Sequence, residues 1–193
     1  METVVINTEA LRMTEEDFFK FCIQNRDLQI ERDSNQNIFI MSPTGGITGK
    51  YNSFFTAKVW LWNEKKKSGY VFDSSTGFTL PNKAVRSPDV AWIEKTRWEN
   101  LPLDDKKRFA HLCPDFVIEL LSESDSLQTA KNKMQEWIDN GCQLGWLIDL
   151  EQQKIFIYQH NKEITTLDGF DRTVSGGNVL SGFELNMEEL KTS

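Results

Sequence analysis

The stretch Cys113-Pro114-Asp115-Phe116-Val117-Ile118-Glu119-Leu120-Leu121-Ser122 constrains the chain more than any other. Residues 116–121 are a short apolar run of β-compatible side chains, the pattern of a strand covered on both faces. Glu119 interrupts it. An ionised carboxylate buried there without a partner would cost on the order of several kcal/mol. The fold must therefore supply a cation, a hydrogen-bond donor or a proton.

The 193 residues suit one domain over 1–193, long enough to bury a substantial core. No apolar run reaches the ~20 residues of a membrane span, and the N-terminus lacks the pattern of a secretion signal, so a cytoplasmic protein is expected. Three scattered cysteines exclude a disulfide framework. His111 and Cys113 are too few ligands for a closed zinc site. The net charge of −7 argues against a broad basic surface for nucleic acid. Lys65-Lys66-Lys67 and Lys106-Lys107-Arg108 are the basic clusters, and each reads as a solvated helix end or loop.

In chain order, Thr14 caps a helix running to about Gln24, with Phe18, Phe21 and Cys22 on one face. Residues 28–32 and 38–41 form a hairpin, and Glu31, near the end of its first strand, reads as a surface residue. Residues 42–49 are a Gly-rich loop without the Gly-Lys-Ser/Thr ending of a phosphate cradle. A long helix follows over about 50–67, burying Phe54, Val59, Leu61 and Trp62 in part and ending at Gly69.

Residues 70–73, 77–80 and 90–93 read as short strands. Pro88, in Arg86-Ser87-Pro88-Asp89, can start a central strand but not continue one, so Asp89 enters the sheet at a strand's beginning. Residues 95–109 are a polar excursion of short helices. Ser124-Asp125-Ser126, with Gln128, marks a helix start, and Leu127, Ala130, Met134, Trp137 and Ile138 form its apolar stripe, closed by Gly141. Residues 144–149 and 154–158 make another hairpin, and the tail carries an apolar segment at 180–185. This order suits an α/β or α+β domain with a mixed central sheet.

Asp89 and Glu119 lie at or in candidate sheet strands. If those strands are neighbours, two hard-oxygen carboxylates face one point, a donor pair for Mg²⁺ or Mn²⁺. A buried Glu119–lysine pair with Asp89 as a turn residue accounts for the spacing more simply. Lys131 and Lys133 flank the helix stripe on opposite sides, and periodicity does not choose between them.

Arg86-Ser87-Pro88-Asp89-Val90-Ala91-Trp92-Ile93, the stretch 113–122, Lys133-Met134-Gln135-Glu136-Trp137 and Leu144-Gly145-Trp146-Leu147-Ile148-Asp149 together resemble the Uma-two family, grouped with restriction endonucleases in the PD-(D/E)XK nuclease superfamily. The resemblance covers most of the chain. It implies a restriction-endonuclease-like core, with a mixed sheet flanked by helices and an N-terminal helix and hairpin added. It also implies an Mg²⁺- or Mn²⁺-dependent endonuclease acting on nucleic acid, on double-stranded DNA first of all, as a homodimer. Asp89 and Glu119 match the metal-binding acids and Glu31 an upstream acid of the metal shell.

The lysine usually two places after the second acid is absent, since Leu121 stands there, and the resemblance implies that Lys133 takes that role. The histidine that many members carry after the Met-Ser-Pro step is also missing from residues 41–49. Ser122 matches a small polar residue expected to give a supporting hydrogen bond. The alternative is a catalytically silent nuclease-fold module binding nucleic acid or a protein. A two-carboxylate glycosidase is weaker, because the six tryptophans are spaced as core residues.

Overall fold

The computed structural model describes residues 3–122 and 125–192. The N-terminal half runs β1 (Val4–Asn7), α1 (Glu15–Gln24), β2 (Gln29–Arg32), β3 (Asn37–Met41), α2 (Gly46–Lys66), β4 (Gly69–Asp73), β5 (Phe78–Thr79), β6 (Val85–Arg86) and β7 (Val90–Glu94). The short helices α3 (Lys95–Glu99) and α4 (Leu103–Lys106) follow, then β8 (Phe116–Leu121), α5 (Leu127–Asp139), β9 (Leu144–Asp149), β10 (Lys154–Gln159) and β11 (Thr165–Asp168). β12 (Thr173–Ser175), β13 (Glu184–Asn186) and α6 (Glu189–Thr192) close the chain.

The central sheet has the order β11-β10-β9-β8-β7-β4. It is mixed because β8 and β9 are parallel, joined by a crossover through α5, whereas the other neighbours are antiparallel. A second sheet, β1-β3-β2-β6-β5, carries the N-terminal hairpin. The expected fold class is the observed one.

Strand alternation divides the central core. Phe116, Ile118 and Leu120 pack with Phe55, Val59 and Trp62 of α2 and with the C-terminal Phe183 and Leu185. Val117 and Leu121 pack on the other face, with Met134, Trp137 and Ile138 of α5. Glu119, at an odd position, shares that second face by the two-residue period of a strand. β8 is buried on both sides, as its apolar run requires.

Several local readings change. Helix α2 starts at Gly46, so half of the expected loop is helical, and it ends at Lys66 with Lys67 left-handed. Leu61 is exposed, because Val59, Trp62 and Asn63 take the inward side. β5 pairs with β6 in the smaller sheet, so residues 77–80 do not join the central one. β1 and β6 lay below the reach of sequence patterning, being short and, for β1, exposed throughout. Helix α1 begins as expected, with Thr14 and Asp17 forming a reciprocal capping box. For α5 the cap is Ser126, whose side chain accepts from Thr129 N–H at 3.4 Å. Asp125 ties back to Ser122 instead, and Ser124 lies outside the described residues. Among the described residues, no helix is long and apolar enough to cross a membrane.

Candidate active site

β7 and β8 are neighbours, with Val90 opposite Ile118. That register brings the residue just before β7 beside the middle of β8. Asp89 Oδ2 accepts from Leu120 N–H at 2.7 Å. Pro88 fixes the approach, so the carboxylate emerges as the strand begins.

Glu119 is 8 % exposed. Its partners come from α5, at positions four residues apart on one helical face. Trp137 Nε1 donates to Oε1 at 2.8 Å. Lys133 Nζ lies 3.0 Å from Oε1 and 3.1 Å from Oε2. Lys131, by contrast, places its ammonium 4.5 Å from the ring centre of Phe156. Of the two lysines, Lys133 is the one paired with Glu119.

Glu31 corrects a sequence expectation. It is buried, at 3 % exposure. β2 carries it into the cleft, where Oε1 accepts from Lys133 Nζ at 2.9 Å and from Ser87 N–H at 3.0 Å, and Oε2 accepts from Arg86 Nη1 at 3.1 Å. Arg86 Nε in turn donates to Glu136 Oε2 at 2.6 Å, and Asn82 Nδ2 donates to Glu136 Oε1 at 2.9 Å. Sequence reading passed over Arg86 and Glu136. Their signal was available in part, since Glu136 follows Lys133 by three residues on the same helical face.

The electrostatics follow from this geometry. Burial pushes the Glu119 carboxyl up, and the like charges of Asp89 and Glu31 add to it; Lys133 opposes without prevailing, and the result is about 7. Burial likewise raises Asp89, although the Leu120 N–H favours its ionised form. Glu31 is equally dry, yet Lys133 and Arg86 outweigh burial and hold it below the usual carboxylate range. Lys133 is pulled down by burial and pushed up more strongly by Glu119 and Glu31, so it stays an ammonium at neutral pH. Among the described residues lining the cleft, Glu31, Asp89, Glu119 and Glu136 surround Arg86 and Lys133, and Asp33 and Asp125 line it as well. The shortfall is in positive charge.

These groups line a cleft of about 1010 Å³ between the hairpin sheet, the start of α2 and α5. Among the described residues, no three acidic, histidine or cysteine side chains converge as a metal-holding group. The donor chemistry does fit a hard divalent cation: Asp89 and Glu119 offer carboxylate oxygens whose ionisation burial disfavours, the condition a divalent ion reverses. His111 and Cys113 do not form a site. His111 is half exposed between Glu15 and Asp105, whereas Cys113 is buried against the Trp137 carbonyl. Ser122 Oγ donates to Asp125 at 2.7 Å.

A solved structure described as a putative nuclease belonging to DUF820, from Anabaena variabilis, superposes with a TM-score of 0.71. It is 21 % identical and the match covers 84 % of this chain and 89 % of that one, a likeness of fold. No curated protein matches. The family model Uma2, described as "Putative restriction endonuclease", matches residues 15–188. That match spans most of the chain, and the chain belongs to the Uma2 family of putative restriction endonucleases.

Proposed function

We propose that the protein is a divalent-metal-dependent endonuclease that hydrolyses phosphodiester bonds in double-stranded DNA. The observation that carries this reading is that Asp89 at the entry of β7, Glu119 on the neighbouring β8 and Lys133 of the crossover helix line one cleft, with Lys133 paired to Glu119. Asp89 and Glu119 would hold Mg²⁺ or Mn²⁺. When bound, such an ion polarises a phosphoryl oxygen and lowers the pKa of a water.

The chain's own residues do the rest. Lys133, fixed as an ammonium, offers a positive charge to the attacked phosphate and does not act as a base. Glu31 and the Ser87 carbonyl, 3.4 Å from Nζ, orient that ammonium. On this reading Glu31 positions Lys133, because Lys133 and Arg86 already compensate its charge, whereas burial of Asp89 and Glu119 is not compensated; the Glu31→Gln variant tells this role from that of an accessory ligand. The Asp89 carboxylate is aimed by the Leu120 N–H. Cutting both strands of a duplex calls for two such sites, and the proposal therefore includes a homodimer.

The direct test is cleavage of supercoiled plasmid with Mg²⁺ or Mn²⁺ by the wild type, Asp89→Ala and Glu119→Gln. Metal-dependent nicking by the wild type alone supports the site, and nicking that survives both substitutions rejects it. A second reading, a silent nuclease-fold module, has one observation in its favour: Lys133 spans both oxygens of Glu119, so a cation must compete with an ion pair. Plasmid binding without cleavage or metal uptake would select it.

A further inference from the structure

Helix α2 is apolar on two sides. Phe55, Val59 and Trp62 pack into the core. Trp60 and Leu61 stand 50 % and 53 % exposed, although a helix that covers a core on one face ordinarily turns polar residues outward on the other. At 3.6 residues per turn, Lys50, Ser53, Ala57, Trp60, Leu61 and Glu64 share one outer face, and all six are exposed. Phe54, half-buried, flanks them. The core residues lie diametrically across the helix. Charge marks the two ends of this face, with Lys50 and Glu64 equally far from Ala57 along the chain. Among the described residues, neither has an ion-pair partner.

We propose that this face is where two copies of the chain meet, α2 packing antiparallel on α2 about a two-fold axis at Ala57. The proposal rests on the homodimer reading above and gives it a surface. The face is complementary to itself in that register, as a two-fold interface requires. Ala57 meets its own copy and lets the helices approach. Leu61 lies over Ser53 of the second copy and Trp60 over Phe54, so bulky side chains meet smaller or flatter ones. Glu64 faces Lys50, twice over by symmetry. A parallel pair would instead set lysine against lysine and glutamate against glutamate, which charge repulsion disfavours. Gly45 and Thr48, at the start of α2, line the cleft. The antiparallel pair therefore sends the two clefts to opposite ends of the interface, with the two Thr48 positions about 27 Å apart along the helices. One turn of a DNA duplex, about 34 Å, is of similar length.

Sedimentation velocity over a concentration series, on the full chain without metal or DNA, tests the surface. All the substituted positions are exposed, and circular dichroism melts check that each variant folds. Lys50→Glu and Glu64→Lys each replace two attractions by two repulsions, and each is expected to weaken dimerisation by at least about tenfold. The double variant, Lys50→Glu with Glu64→Lys, restores opposite charges and is expected to regain most of the wild-type affinity. A wild-type dimer that all three variants leave unchanged overturns the α2 interface and leaves the homodimer reading standing. A double variant no tighter than the single ones overturns the antiparallel register in the same way. A wild type that is monomeric at every concentration removes both readings and leaves the face to a different partner.

Discussion

Lys133 Nζ lies 3.0 Å and 3.1 Å from the two carboxylate oxygens of Glu119, and the same ammonium is 2.9 Å from Glu31. One cation thus serves two buried acids that come from different sheets. Removing it leaves both without their main counter-charge. Lys133→Met is expected to cost about 3–5 kcal/mol at pH 8 and less at pH 5, where carboxyls can take up protons. Urea denaturation at the two pH values measures it, and an equal loss at both would contradict the assignment.

Glu119 makes a prediction of opposite sign. Its carboxyl sits near 7 in the folded chain, above the ordinary 4.5. The folded state therefore holds the proton more tightly, and stability falls as pH rises from the ordinary value through about 7. Glu119→Gln removes that loss. The variant is expected to be more stable than the metal-free wild type by roughly 1–3 kcal/mol above pH 7, with no gain near pH 4.5. Thermal melts across this range read the difference, and saturating Mn²⁺ should stabilise only the wild type.

Glu31→Gln separates positioning from ligation. It takes a charge from Lys133 and Arg86 but leaves Asp89 and Glu119 in place. If Glu31 orients Lys133, plasmid nicking falls at least about tenfold while Mn²⁺ affinity is unchanged. Loss of Mn²⁺ affinity in step with nicking would make Glu31 an accessory ligand.

His111 links α1 to the excursion before β8, with Nε2 3.0 Å from Glu15 and Nδ1 2.8 Å from Asp105. The hydrogen bond to Glu15 outweighs burial and, with Asp105, raises the imidazole above its ordinary 6.5. A raised histidine stabilises the fold fully below its unfolded pKa, and the effect disappears as pH rises through the folded value. His111→Gln should therefore lower the melting temperature near about pH 5.5 and leave it unchanged near about pH 8.5. The half-exposed site makes this a small effect, and a pH-independent difference would refute it.

Gly69 is a test of the scaffold alone. A methyl group there would overlap the Ile93 carbonyl oxygen and the Trp92 indole. The Gly69 backbone is also held from both sides by Asn63, which accepts from Trp92 Nε1 at 3.0 Å. Gly69→Ala is expected to cost at least about 1–3 kcal/mol in chemical denaturation.

The buried strand, the helix after it and the entry of Asp89 at a strand's beginning are legible in the order of residues alone. These depend on local quantities: an apolar run, a 3.6-residue stripe and the fixed geometry of proline. It also forced a partner on Glu119, because the cost of a lone buried charge does not depend on the fold. The identity of that partner depends on how the distant segments pack. Lys131 and Lys133 are equivalent by periodicity, and it is the seating of α5 on β8 and β9 that turns one to Glu119 and the other to Phe156. Glu31 read as a surface residue because its ion-pair partners lie outside its hairpin, Arg86 and Lys133, the latter 102 residues away. Local backbone and burial preferences are written along the chain, whereas the partner of a charge is set by a contact that exists only once distant segments pack.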